Sequence, residues 1–125
     1  MADSILKDFN ELIIDLINSI KSEIPNDVNI SLASSAIEFK LRNNKKSIMK
    51  IFIDDIYIHD DFRESIINKN DDFFMNNDFK KYNADKDTVF KFKNYWKKLS
   101  KNTQEYVKDT FVALITLTTN YINVV

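Results

Sequence analysis

Glycine and cysteine are both missing from this chain of 125 residues, and proline occurs once, at Pro25. Without glycine there is no Gly-rich phosphate loop and no dinucleotide fingerprint. Turns that need positive φ fall to Asn and Asp. Without cysteine there is no disulfide, no thiol nucleophile and no thiolate metal site. Histidine is nearly absent too: His59 stands alone. Long apolar runs are also lacking. No window reaches the ~18 uncharged apolar residues of a membrane span, and Asp3 and Lys7 interrupt the opening apolar stretch as no secretory signal would. These features lead us to expect no membrane insertion. Neither sign of charge prevails, with a formal net charge of −1, so no overall attraction to nucleic acid or acidic lipid follows.

What is present is apolar bulk. The chain is 44% hydrophobic and 13% aromatic, with ten phenylalanines and five tyrosines, a composition that builds a core rather than a disordered tail. The stretch Asn102 to Val125 is the natural centre. Val107, Phe111, Leu114, Ile115, Thr118 and Tyr121 recur at helical spacing, and no charge follows Asp109. A helix apolar on nearly every side is normally buried. The expectation is an all-α, compact single-domain bundle of five or six helices over residues 1–125, with this nearly all-apolar C-terminal helix at its core.

Along the chain, Ile5, Leu6, Phe9, Leu12, Ile13, Leu16, Ile17 and Ile20 mark a first helix, capped by Asp3 or Ser4 and closed before Pro25. Residues 25–31 read as a connection. Leu32 to Arg42 reads as a short helix, with strand the alternative over 28–42, since VNISL and IEFKL alternate; Ser47 to Ile58 reads as helix for want of strict alternation, with strand the alternative over 50–58, whose Ile, Phe and Tyr favour strands. Asn43-Asn44 and His59-Asp60-Asp61 are breaks, and Phe62, Ile66 and Ile67 mark a short helix. Residues 75–87 read as a loop. Thr88 to Leu99 reads as a helix with Val89, Phe92, Tyr95, Trp96 and Leu99 inward and Phe90 off that stripe. Ser100 or Asn102 starts the last helix.

Charge comes in blocks. Lys40, Arg42, Lys45, Lys46 and Lys50 lie in a segment, 40–50, that holds no acid. A second basic segment, 80–101, includes Lys91, Lys93, Lys97 and Lys98. Joined on one face, the two segments would bind phosphates nonspecifically through counterion release. With arginine only at Arg42 and Arg63, base-specific readout is not expected. The competing explanation is that these lysines line solvated helix faces.

Catalytic signals are poor. His59 has Asp60, Asp61 and Glu64 nearby, but Arg63 sits four residues on, where a second metal ligand belongs. Asn83, Asp85 and Asp87 imitate a calcium loop that fails at Thr88, where glycine is required, and at Asn94, where glutamate is required. No catalytic residue, no cofactor and no metal site is assigned, and the chain reads as a non-enzyme. The surplus of large apolar residues points instead to a protein partner or to self-association, with Ile5, Ile13, Phe90 and Tyr121 as candidate interface residues. Nonspecific nucleic-acid binding through Lys40, Arg42, Lys45, Lys46, Lys91, Lys93, Lys97 and Lys98 is the alternative.

Three stretches carry a resemblance: FNELIIDLINSI at 9–20, SIMKIFIDDIYIHDDFRESIINKNDDFF at 47–74 and YWKKLSKNTQEYVKDTFVALITL at 95–117. In these the chain resembles small α-helical proteins of nucleocytoplasmic large DNA viruses. The resemblance implies an intracellular viral protein, in host cytoplasm or virion, and implies no reaction.

Overall fold

The computed structural model describes residues 1–76, 90, 92 and 95–125. Residues 77–87 of the expected loop, the helix start at Thr88, the calcium-like residues 83–87 and most of the second basic segment lie outside them, while residues 75 and 76, expected in that loop, close a short helix.

The first helix, α1, spans Ala2–Glu23. It buries Leu6, Phe9, Ile13, Leu16 and Ile20, a stripe spaced three or four residues apart that falls on one helix face. No side chain caps its start; the Ser4 hydroxyl donates to the Met1 carbonyl instead. Pro25 sits just past its end, as the sequence requires. The second helix, α2, runs Val28–Asn43, so the connection is shorter than expected and segment 28–42 is helix, not strand. Asp27 explains the early start: its carboxylate accepts from the Ile30 amide at 3.1 Å, satisfying a donor that the helix leaves orphaned.

Helix α3, Ser47–Phe52, continues without a break into a π-helical turn, Ile53–Tyr57. The Ile58 amide reaches the Ile53 carbonyl at 3.1 Å, the five-residue step of a π-turn. Segment 50–58 is therefore helical throughout its ordered turns. The wide turn keeps Ile56 buried and lets the half-buried Tyr57 hydroxyl meet the Thr119 hydroxyl at 2.7 Å. Helix α4 is Asp60–Ile67 and α5 is Asp72–Asn76. Between them Lys69 has φ 55°, a left-handed position that glycine usually takes and that here falls to a lysine, not to the Asn or Asp expected.

The last helix, α6, spans Lys101–Val124. Ser100 is its cap, accepting from the Thr103 amide at 3.2 Å. Glu23, at the end of α1, accepts hydrogen bonds from the Ser100 amide and the Thr103 hydroxyl. α6 packs along α1 more extensively than along any other helix, and this junction sets the two in opposite directions. Phe111 is the centre of an aromatic core. Its ring lies 5.2 Å from Phe74, 5.4 Å from Phe92, 5.7 Å from Phe73, 6.1 Å from Phe90 and 6.2 Å from Phe52. Trp96 stacks on Phe74 at 4.5 Å. Edge-on and stacked ring pairs of this kind add about 0.5–1.5 kcal/mol each beyond burial.

The architecture is all-α, with six α-helices among the described residues around one hydrophobic core. One expectation is corrected. α6 is central but not nearly all-apolar. Lys101, Glu105, Lys108 and Asp109 occupy its first half, and Lys108 and Asp109 pair with Asp71 at 2.5 Å and Lys69 at 2.6 Å. The hydrogen bond to Asp71 holds the Lys108 ammonium above its ordinary pKa, against the opposing effect of desolvation. Farther along, Thr116, Asn120 and Ile122 are exposed. Lack of charge is not burial: Thr116 satisfies its hydroxyl on the Val112 carbonyl at 3.1 Å and stands in solvent.

Candidate interaction surface

The structure divides the four candidate interface residues. Ile13 is 2% exposed and Phe90 is 2% exposed, so neither is a surface residue. Ile13 falls within the inner stripe of α1. Phe90 was expected to project from a helix, but residues 90 and 92 are not helical, and the first helical turn after them is the short 3-10 segment Trp96–Lys98. Both phenylalanines turn into the core, Phe90 at 5.5 Å from Phe52 and Phe92 at 5.6 Å from Phe74. Ile5 and Tyr121 are half-buried, Tyr121 packed against the core.

The exposed apolar face lies elsewhere, on α2. Val28 is 70% exposed, Leu32 63% and Phe39 64%. With the exposed Ser35 they fall at i, i+4, i+7 and i+11, one straight stripe on a helix. The opposite face of α2 buries Ile30, Ser34 and Ile37. α2 is thus apolar on two opposed faces, one inside the domain and one in solvent. The sequence signal was the spacing of Val28, Leu32, Ser35 and Phe39. It is masked by Ile30 and Ile37 on the other side, which make the segment read as an alternating strand.

The basic residues are placed as follows. Lys40 is half-buried and Arg42 exposed in the last turn of α2, and Lys45 and Lys46 are exposed in the turn after it. The Lys45 ammonium lies 3.5 Å from Asp3 and its carbonyl accepts from Asn10 at 2.9 Å. Lys97 and Lys98 are exposed beside Ser100, which is tied to Glu23 at the other end of α1. The anchoring residues Asn10 and Glu23 are about 20 Å apart along α1 at 1.5 Å per residue. The described parts of the two basic segments therefore sit at different ends of α1. Lys91 and Lys93 lie outside the described residues.

Around His59, the guanidinium of Arg63 takes the Asp60 carboxylate at 2.6 Å and donates to the Tyr57 carbonyl at 2.6 Å. His59 packs edge-on against Phe62 at 5.8 Å. Among the described residues no group of three or more His, Cys, Asp or Glu is placed to hold a metal ion. None of their helices is long and apolar enough to cross a membrane.

Two hollows remain. One, of about 40 Å³, is lined by apolar side chains of α1 and α2 with Phe90, Phe92 and Tyr95. It has room for a few water-sized molecules, and its wall is mostly apolar. Burial and the nearby Asp27 carboxylate push the Tyr95 phenol above its ordinary pKa. The other is an open groove between α1 and the start of α6, lined by Asp15, Asn18, Ser19, Ser22, Glu23, Thr103 and Tyr106. The hydrogen bond from Thr103, then that from the Ser100 amide, holds the Glu23 carboxyl below its ordinary 4.5, with burial opposing. Glu23 is thereby engaged in joining α1 to α6. Comparison of the chain with protein-family models, with curated proteins and with solved structures finds no match.

Proposed function

We propose that this chain is a non-enzymatic helical interaction protein that acts through the outer face of α2. The observation that carries the reading is the stripe of Val28, Leu32 and Phe39, each close to two-thirds exposed. Isolated surface apolar residues need no explanation. Three large ones in line on one helix form the anchor pattern by which amphipathic helices are recognised. The resemblance to proteins of large DNA viruses extends the proposal to a structural, virion-associated or host-cytoplasmic role.

Affinity capture from the native source, in moderate salt with and without nuclease, tests it. The bait proteins are the wild type, a Leu32→Glu/Phe39→Glu variant and an Ile14→Glu control, Ile14 being an exposed residue of α1 at 39%. The reading expects a defined protein partner, the chain's own second copy included, held by wild type and control and lost by the α2 variant. Equal capture by all three baits would refute it. Capture that vanishes with nuclease would favour nucleic acid at Arg42, Lys45 and Lys46 instead.

A further inference from the structure

We infer that the partner of the α2 face is a second copy of the same chain, bound through an antiparallel pair of α2 helices; this rests on the interaction reading above. The stripe has the step pattern of a two-helix seam, four residues then three then four, from Val28 to Leu32 to Ser35 to Phe39. It is also self-complementary when reversed. With a twofold axis between Ala33 and Ser34, Val28 faces Phe39 of the second copy and Leu32 faces Ser35. Each large side chain then meets a smaller one, and all four seam positions are used. Such a contact is isologous and closes at two copies.

Charge selects the direction. α2 ends in Lys40 and Arg42 and begins at the Asp27 cap. The antiparallel register sets Lys40 level with Asp27 of the second copy. A parallel pair would set Lys40 and Arg42 against their own counterparts, and like charges oppose that arrangement. Ser31 and Asn29, both exposed, flank the seam without adding charge. A single seam on a helix of 16 residues belongs to the small, reversible class of interfaces. The expected behaviour is a monomer–dimer equilibrium, not a permanent dimer.

Sedimentation equilibrium of the full chain tests the pairing, and spin labels test its direction. Wild type is expected to pass from monomer toward dimer mass between about 10 µM and 1 mM. Leu32→Glu/Phe39→Glu should stay monomeric over that range with unchanged far-UV circular dichroism, because both side chains are largely exposed in the monomer. The chain has no cysteine, so Asn43→Cys takes one label. In the antiparallel register two such labels lie about 30 Å apart along the helices; parallel helices would hold them near the interaxial spacing of about 10 Å. Monomeric wild type at every concentration overturns self-pairing, while the capture experiment still decides whether a different partner uses the face. A dimer that survives the double substitution overturns the α2 seam. A label distance near the interaxial spacing overturns the antiparallel register.

Discussion

Replacing Phe111 with alanine should be among the most damaging single changes available to this protein. The ring is fully buried and touches five other aromatic rings, supplied by α3, by α5 and by Phe90 and Phe92. Burial and cavity terms for Phe→Ala come to about 3–5 kcal/mol. The ring contacts place this site at the upper end, since edge-on geometry adds to area. Total stability for a chain of this length is about 6–19 kcal/mol, so the variant loses a large share of it. With a urea m-value of about 2 kcal/mol/M, a loss of about 4 kcal/mol moves the midpoint down by about 2 M. Two probes read the transition: far-UV circular dichroism, and fluorescence of Trp96, the single tryptophan, stacked on Phe74 in the same cluster. Thr116→Ala, on the exposed side of the same helix, should change stability by less than about 0.5 kcal/mol. A loss below about 1.5 kcal/mol for Phe111→Ala would refute the placement of Phe111 at the centre. So would two probes that melt at separate midpoints, since one core should melt once.

Two further predictions concern the helix junction and the inner face of α1. Glu23 is held below its ordinary pKa in the folded chain; its contribution is therefore full above the unfolded value and is lost as pH falls through the lower folded one. Melting temperature of the wild type should drop between about pH 5 and pH 2 more than that of Glu23→Gln, and parallel curves would contradict the junction's role. Ile13→Ala should cost about 2–5 kcal/mol in urea titrations, and the half-buried Ile5→Ala clearly less; equal costs would contradict the difference in their burial.

Much of the helical frame was legible because its signals are local. Pro25, Asn43-Asn44 and His59 mark breaks that the backbone respects, and Ser100 caps α6 as a cap residue should. The periodicity of Leu6, Phe9, Ile13, Leu16 and Ile20 gives the inner face of α1 directly, and by that same pattern Ile13 belongs to the core. The misreadings have physical causes. Asp27 starts α2 early because one capping carboxylate outweighs the extended look of VNISL. Phe90 does not project because residues 90 and 92 are not helical and both rings are buried in the core. The outer face of α2 was missed because a helix apolar on two opposed sides has little net amphipathicity. Only the core on one side, built by α1 with Phe90, Phe92 and Tyr95, tells which of the two stripes is buried. Tertiary charge pairs such as Lys108 with Asp71 are likewise invisible in sequence, and they keep α6 from being the all-apolar helix its composition suggests.

Hydrogen–deuterium exchange compared at low and high micromolar concentration tests the central claim most directly, since it reports which helix becomes covered. The account predicts that raising the concentration slows exchange in Val28–Asn43 and leaves the exposed ends of α4 and α6 unchanged, with the effect absent in Leu32→Glu/Phe39→Glu. Slowing confined to other helices, or none in α2 at any concentration, would contradict it.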